Sequence, residues 1–516
     1  MDEKRLKIEL KQRYGIIDIG SNTIRLVIYE TGTSKLYHEL ENTKVTARLR
    51  SYLEDGILNE AGIQLLILTL QQFQESTRFY GLKHVICMAT ATVRQAKNQS
   101  YIQQLVEEHT DFKLRILSEY EEAYYGYLAI INSTSFEEGI TIDIGGGSTE
   151  LTYFKNRQLV EYYSFPFGAL SLKQQFIEED VPTAEEKEKL YSYVKSSLET
   201  LPWLLGKEVP IIAIGGSARN MAKIHQQLIS YSISSLHLYE MNAAHIDSVK
   251  QHLSSLSFSE LQKQDGLARD RADTILPAIE VFGAIMHLSN APSFVLSRKG
   301  LREGVFYEAL TKPFHLSYYP NVVEESLHML AQEYGMDMDY VMQLMINVSA
   351  ICNELERLGV ASFSEEELQL LRKAAKVFNI GKYIDEESSS QHTFYLLANK
   401  TIDGMMHKER IQLALLASYK SRSAFKRYMQ LFDAWFSKEE QRQLSLLGSI
   451  LQLAAALNIT NRNFVKNILI EERKEDLQFF ISCRSSGLAE RMQAEKQKKP
   501  LEKALKRNIE LNFLIN

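Results

Sequence analysis

The stretch Thr141–Leu151, which reads TIDIGGGSTEL, places three consecutive glycines between two largely apolar segments. An apolar run that ends in an acid and then meets glycines predicts a buried strand, a tight turn and a second strand. Glycine has no side chain and adopts positive φ readily, so the backbone N–H groups of Gly145, Gly146 and Gly147 can approach an anion closely. The stretch therefore predicts a turn that holds phosphate.

Two carboxylates flank this predicted turn, Asp143 before the glycines and Glu150 after them. Two carboxylates beside a phosphate would repel it unless a hard cation such as Mg²⁺ lay between them. The pair therefore implies a metal ion.

An upstream segment repeats the pattern. Ile17–Leu26 reads IDIGSNTIRL, and aligning it with the later stretch matches Asp18 to Asp143 and Gly20 to Gly145. Two strand–turn–strand hairpins of this kind, one in each half of a bilobal protein, would close on a phosphate from both sides. The alternative is a pair of ordinary hairpin turns, which the duplicated acid disfavours.

A third glycine turn, Ile212–Ala218 (IAIGGSA), leads into a helix that we predict to begin at Arg219. None of these turns fits the other common glycine motifs. A Walker loop would need Gly-Lys-Ser/Thr, and a dinucleotide fingerprint would need a third glycine where Glu150 stands.

Composition indicates a globular protein with several domains: 516 residues, 45% hydrophobic and 24% charged. The first residues, MDEKRLKIELKQRYG, are too charged for a secretory signal, and no apolar run approaches the roughly 20 residues of a membrane span. We therefore expect a cytoplasmic protein without a membrane span. Cys87, Cys352 and Cys483 lack metal-type spacing and are expected to be reduced thiols.

The net charge of −6 argues against a general nucleic-acid binder. The last segment, residues 461–516, has more Lys and Arg than Asp and Glu. This basic end would either guide a polyanionic substrate or form a solvated surface, and charge alone favours the second.

Strands and helices alternate along the chain as far as Pro313–Pro320 (PFHLSYYP), which reads as a linker. Helix then follows helix over residues 322–458, and a hairpin around Lys474 and Glu475, a helix and a last strand finish the chain. Residues 35–50 read as strands carrying Arg48 and Arg50. We predict four domains, listed by residue numbers: 1–125, 126–310, 321–458 and 459–516.

Two short segments carry further candidate residues. Arg94 follows the predicted strand at residues 84–90, where open α/β sheets place ligand contacts, although a surface arginine on a short helix fits as well. Ser118 can cap a helix with Glu121 and Glu122 in or near its first turn. Acids there complement the helix dipole, but a carboxylate at the mouth of a cleft can also be a general base.

Six ordered motifs between residues 14 and 305 carry a family resemblance: YGIIDIGSNTIRLVIYE, ATATVRQAKN, SEYEEAYYGY, IDIGGGSTEL, IGGSARNMA and LSRKGLREGV. With them the sequence resembles the exopolyphosphatase and guanosine pentaphosphate phosphohydrolase family of the actin, sugar kinase and heat-shock chaperone superfamily. The resemblance implies an α/β fold of two actin-like (ribonuclease-H-like) lobes, followed by an all-α degenerate His-Asp-like domain and a small α+β C-terminal domain.

The resemblance also implies roles for individual residues. Glu121 matches the catalytic glutamate, the first of the family's Glu-Glu-Ala pattern, and Glu122 takes that role if the alignment slips by one. The implied metal-site acids are Asp143, Glu150 and Asp18. The implied phosphate-binding residues are Gly20, Ser21, Asn22, Arg25, Arg94, Gly145, Gly146, Gly147 and Ser148. The chain departs from the pattern at Glu119, where relatives often have Gly.

The helical region is similar to His-Asp metal phosphohydrolases, but Phe378 and Asn379 stand where those enzymes carry their His-Asp pair. Phenylalanine cannot ligate a metal and asparagine is a poor bridging ligand, so a second metal centre is not expected. His392 and His407 read as structural or solvent-facing.

With the resemblance, these observations predict an exopolyphosphatase that removes the terminal phosphate of inorganic polyphosphate processively with Mg²⁺. The resemblance also implies a homodimer, like those of longer family members. Three alternatives stay open: a guanosine pentaphosphate (pppGpp) 5'-phosphohydrolase, a polyphosphate kinase-like transferase, and a non-catalytic module that binds polyphosphate or an alarmone.

Overall fold

The computed structural model describes residues 12–32, 37–312, 315–474 and 476–515. Internal contacts divide the chain into two compact units. Unit 1 comprises residues 1–231 and 236–322, and unit 2 comprises residues 232–235 and 323–516. The two units are described separately.

Unit 1 contains two larger sheets, of which the first has five strands in the order β3-β2-β1-β6-β7. These strands are β1 Gln12–Ile19, β2 Thr23–Thr31, β3 Tyr37–Thr46, β6 His84–Ala89 and β7 Leu114–Ile116; the short strands β4 Leu53–Glu54 and β5 Ile57–Leu58 pair with each other. β1, β2 and β3 run antiparallel, whereas β1, β6 and β7 run parallel. The helices of this part are α1 Glu60–Phe79, α2 Ala91–Gln95, α3 Gln99–His109 and α4 Glu119–Ile131.

The second sheet has six strands in the order β10-β9-β8-β11-β13-β12. They are β8 Glu138–Ile144, β9 Thr149–Lys155, β10 Gln158–Phe165, β11 Ile211–Ile214, β12 Tyr239–Met241 and β13 Phe294–Leu296. Three antiparallel strands again lead into a parallel set of β8, β11 and β13. The helices are α5 Ala169–Phe176, α6 Ala184–Glu199, α7 Gly215–Leu228, α8 Ala243–Ser254, α9 Phe258–Leu261, α10 Ile275–Ser289 and α11 Leu301–Thr311.

The central strand of the first sheet is buried on both faces. Successive side chains of a strand point to opposite faces, so Ile17 and Ile19 of β1 pack with Leu66 and Leu70 of α1, whereas Ile16 joins a separate cluster with residues of α4 and α11. Burial of each such side chain contributes about 1.5–3 kcal/mol. A further core lies on the second sheet, between its strands and helices such as α6, α7 and α10.

Helices α4 and α11 pack together at unusually close range. A Cβ atom placed on Gly304 of α11 would overlap the backbone oxygen of Tyr125 in α4, so the present spacing of the helices has no room for a side chain there. The glycine therefore lets the two helix backbones touch.

Unit 2 is helical up to its last part. Its helices are α12 Val322–Glu333, α13 Met338–Arg357, α14 Glu365–Lys376, α15 Ser389–Asn399, α16 His407–Ala417, α17 Arg422–Met429, α18 Lys438–Ala456 and α19 Leu488–Leu505. The last part of unit 2 also holds a three-stranded sheet in the order β14-β15-β16, formed by β14 Val465–Arg473, β15 Asp476–Cys483 and β16 Ile509–Ile515, with α19 between β15 and β16 in the chain. The predicted hairpin is present, although Glu475 lies outside the described residues.

Two local predictions differ from the structure. Residues 35–50 are not all strand: β3 ends at Thr46, and a short 3-10 helix at Leu49–Tyr52 follows Arg48, which adopts a left-handed conformation with φ 45°. The helix predicted to begin at Arg219 begins at Gly215, because the glycines of IAIGGSA form its first turn. None of the helices in the described ranges has both the length and the hydropathy of a membrane-spanning segment.

Candidate active site

The turns that follow β1 and β8 have the same construction. In each, the amide of the first glycine donates to the carbonyl oxygen three residues later, over 3.0 Å from Gly20 and 2.9 Å from Gly145. The two turns also face each other, because a Cβ atom placed on Gly146 would lie 3.1 Å from the Cβ of Ser21. The duplicated motif thus forms two opposed turns at one cleft in unit 1.

Most of the predicted phosphate-binding and metal-site residues line this cleft. Those that do are Asp18, Gly20, Ser21, Asn22, Asp143, Gly145, Gly146 and Ser148. Of the other four, Arg94 does not line the cleft, and the remaining three adjoin the lining. Arg25 pairs in register with Asp18, Glu150 pairs in register with Asp143, and Gly147 follows Gly146.

The turn after β1 is held by neighbouring segments. The amides of Arg48 and Arg50 donate to the backbone oxygens of Asn22 and Ser21, over 2.9 and 3.2 Å, and the hydroxyl of Thr92 donates to that of Ser21 over 2.8 Å. The bond from Thr92 leaves the Ser21 hydroxyl proton available to an acceptor in the cleft. The segment that carries Arg48 and Arg50 is thereby fixed beside the turn.

The third glycine turn contributes a helix end. Gly215 has φ +91°, and a Cβ atom there would lie 2.5 Å from Oδ1 of Asp143, so this position requires glycine. Among the described residues, no side chain caps the first turn of α7, and residues 214–216 line the cleft. A helix N-terminus with uncapped N–H groups favours an anion.

The two adjacent glutamates of α4 have different surroundings. Glu121 completes a capping box with Ser118 and forms an ion pair with Arg115. Glu122 lines the cleft, and its Oε2 accepts a 2.7 Å bond from Nη1 of Arg94. The structure therefore places Glu122, rather than the predicted Glu121, among the acids of the cleft.

The carboxyl groups of the cleft are held away from water and close to one another. Burial raises the pKa of Glu122 to about 7, with Arg94 opposing the shift. Burial likewise raises the pKa of Asp143 to about 6 and that of Glu150 well above its usual range, with neighbouring carboxylates adding to both shifts. A group with a pKa near neutrality is suited to accept a proton at physiological pH.

Five arginines that sequence reasoning did not assign to the site also line the cleft: Arg48, Arg219, Arg271, Arg298 and Arg302. Nη1 of Arg302 donates to Oδ2 of Asp18 over 2.7 Å. Burial, together with repulsion by neighbouring arginines, lowers the pKa of Arg219 to about 10. Crowded, desolvated guanidinium groups form a site for a multiply charged anion.

The acids of the cleft fit a divalent cation in chemical type. Mg²⁺ is commonly bound by one or two carboxylates together with phosphate oxygens of the substrate. Asp143 and Glu150 could provide the carboxylates. Asp18 is less available because Arg302 occupies one of its oxygens. In the part of the chain that the structure describes, no three or more His, Cys, Asp or Glu side chains are grouped to hold a metal.

Some of these features had signals in the sequence. A capping box has Ser or Thr at the N-cap and Glu three residues later, as in Ser118 and Glu121. This pattern in the sequence indicates that Glu121 binds the helix end. Arg219 and Arg302 lie within quoted motifs, but nothing local shows that their side chains converge.

The predicted degenerate centre lies in unit 2. Phe378 is buried and Asn379 adopts a left-handed conformation with φ 59°. His392 is partly buried on α15 and His407 is buried at the start of α16.

Comparison with known proteins identifies the class to which this fold and cleft belong. The family model of Ppx/GppA phosphatases matches residues 27–313, and the model of that family's domain III matches residues 322–497. The chain belongs to the Ppx/GppA phosphatase family.

Two curated relatives are each 24% identical. One is a bifunctional 3-dehydroquinate synthase/phosphatase of Fusobacterium nucleatum, aligned over 57% of this chain and 46% of that protein, so the chain spans less than half of its length. The other is exopolyphosphatase 1 of Mycobacterium leprae, aligned over 58% of this chain and 89% of that protein.

Solved structures confirm the predicted fold class. A Ppx/GppA family member of Aquifex aeolicus superposes with a TM-score of 0.53 at 25% identity, covering 59% of this chain and all of that one. An exopolyphosphatase of Cytophaga hutchinsonii, 21% identical, gives a TM-score of 0.54 over 60% of this chain and all of that one, and shows the fold alone. The four domain boundaries, the homodimer and the cytoplasmic location stay predictions.

We predict that Asp143 destabilises the metal-free fold at alkaline pH. Its folded-state pKa is raised, so its proton favours the folded state at low pH, and this contribution is lost as the pH rises through about 6. In EDTA at pH 8, Asp143→Asn should be more stable than the unmodified protein by on the order of 1 kcal/mol, with the difference shrinking towards pH 5. Thermal unfolding midpoints measure this, with the exposed Asp265→Asn as control. An equal difference at both pH values would contradict the prediction.

We predict that Gly215→Ala damages the cleft as well as the fold. The new methyl group would enter a left-handed position and displace the Asp143 carboxylate. Gly206→Ala is the matched control, because its φ is +59° and no atom lies within 4 Å of the added Cβ. Gly206→Ala should cost about 1 kcal/mol of stability and spare activity, whereas Gly215→Ala should lose both. Similar activity in the two variants would show that Asp143 tolerates the contact.

Proposed function

We propose that unit 1 hydrolyses the terminal phosphoric anhydride bond of inorganic polyphosphate. The observation that carries the proposal is the position of Glu122, a carboxylate with a pKa of about 7 at a cleft lined by two opposed glycine turns and five arginines. Phosphoryl transfer to water depends on a positioned water, on neutralised phosphoryl oxygens and on a leaving group held in line. The cleft offers groups for each requirement.

In the proposed reaction, the carboxylate of Glu122 orients a water molecule and accepts its proton as the water oxygen attacks the terminal phosphorus. The bond from that phosphorus to the bridging oxygen breaks, and the shortened chain leaves as an anion. Amides of the glycine turns and of the α7 N-terminus, with Arg219, hold the phosphate oxygens. When bound by Asp143 and Glu150, Mg²⁺ would supply charge neutralisation for those oxygens.

Polyphosphate is the favoured substrate because the cleft carries several guanidinium groups, which suits a chain with a charge on every phosphate. The relative from Mycobacterium leprae is named an exopolyphosphatase, which supports the same choice. The assay compares phosphate release from long-chain polyphosphate and from pppGpp, each with Mg²⁺ and with EDTA. Faster release from pppGpp would assign the nucleotide as substrate, ATP formation from ADP would indicate a transferase, and binding without phosphate release would indicate a binding module.

We predict opposite results for the two adjacent glutamates. Glu122→Gln keeps the shape of the side chain but removes the base, so kcat should fall by about 10² to 10⁴. Glu121→Gln weakens a helix cap and an ion pair outside the cleft, so it should lower the unfolding midpoint while leaving kcat near the unmodified value. Steady-state phosphate release and thermal unfolding measure both effects. The reverse pattern of kcat would return the role of base to Glu121.

We predict that Arg219→Gln chiefly weakens substrate binding. Loss of one guanidinium from the anion site should raise KM for polyphosphate by about tenfold or more, since a hydrogen bond to a charged group is worth about 1.5–3 kcal/mol. Arg78→Gln is the control, because Arg78 pairs with Asp111 at an exposed position. An unchanged KM in Arg219→Gln would remove this arginine from the substrate site.

A further inference from the structure

The short helix α2 contacts both the turn after β1 and the Glu122 carboxylate in the cleft. Thr90, which precedes it, donates its amide to the backbone oxygen of Ile19 over 3.1 Å. Within α2, Thr92 contacts the Ser21 hydroxyl and Arg94 contacts Glu122. The helix therefore fixes groups on both sides of the proposed reaction centre.

The contacts of Arg94 differ from those expected of a phosphate ligand. Its Nη1 donates both to Oε2 of Glu122, over 2.7 Å, and to the backbone oxygen of Leu117, over 3.0 Å. The Arg94 and Glu122 side chains are only 15% and 14% exposed, and Arg94 is not among the residues that line the cleft. Nη1 is thus directed at the carboxylate, whereas Nη2 is buried without a hydrogen-bond partner among the described residues.

The surroundings of Glu122 show why such a partner is needed. Asp143 and Asp18 repel its carboxylate, and burial removes the water that would otherwise solvate it. A charge-assisted bond to one carboxylate oxygen fixes the side chain against that repulsion. Oε1 accepts no hydrogen bond from any residue that the structure describes, so it remains free to face a water molecule.

We propose that Arg94 is a positioning residue that acts through Glu122, and that it does not bind the phosphate chain as the family resemblance implied. This inference rests on the proposed function, in which Glu122 orients the attacking water. Because Arg94 is anchored at Leu117, the last residue before the N-cap of α4, it fixes the carboxylate relative to the helix that carries it. Loss of the anchor would leave Glu122 present but mobile.

The test separates kcat from KM in Arg94→Gln and Arg94→Lys, with Arg78→Gln as a matched control in an exposed Arg–Asp pair. We expect Arg94→Gln to lower kcat for polyphosphate by about 10²-fold, as a misplacement of about 1 Å can do, while KM changes by less than about threefold. Arg94→Lys keeps the charge and should recover part of kcat, which simple loss of folding would not explain. A raised KM with kcat retained would identify Arg94 as a phosphate ligand and overturn the inference.

A double-mutant comparison tests whether Arg94 acts through Glu122. We expect Glu122→Gln with Arg94→Gln to be no slower than Glu122→Gln alone, and both to bind polyphosphate equally well in equilibrium titrations. A further loss of rate or affinity in the double variant would show that Arg94 acts on the substrate directly.

The two proposals fail in different ways. If Glu122→Gln is inactive and Arg94→Gln is fully active, the inference about Arg94 fails and the proposed function stands. If Glu122→Gln keeps full activity, the proposed base fails, and the role of Arg94 fails with it.

Discussion

The cleft of unit 1 removes acidic and basic groups from water together, and a charge buried there is costly unless a partner of opposite sign compensates it. Asp18 pairs with Arg302 and Glu122 with Arg94, so these four charges are compensated within the chain. Asp143 forms no ion pair within the described ranges, and its pKa is raised, which favours the neutral carboxylic acid.

The sequence predicted the sheets of unit 1 well where the signals were local. The repeat of IDIGSNTIRL in TIDIGGGSTEL predicted two equivalent hairpins, and both are present. The arginines of the cleft were missed because Arg48, Arg219 and Arg302 come from segments far apart in the chain. Only the sheet order and the packing of α7 and α11 bring them together, and no local pattern encodes that convergence.

The choice between Glu121 and Glu122 shows a second limit of sequence reasoning. Successive residues of a helix are rotated by about 100°, so neighbouring acids face different surroundings. Because the motif contains two adjacent glutamates, an alignment shifted by one residue still matches a glutamate to the catalytic position. The structure separates the two, since Glu121 caps the helix and Glu122 lines the cleft. Helix-capping chemistry was the physical signal available to make this distinction.

The contact between Gly304 and the backbone of Tyr125 has a consequence for how the reaction centre is kept in register. α4 carries Glu122, the proposed base, and α11 carries Arg302, which pairs with Asp18. The main chains of these two helices touch at Gly304. Even the methyl group of Gly304→Ala would push the two helices apart at this crossing. The geometry of the cleft is therefore set partly by a glycine that does not line it.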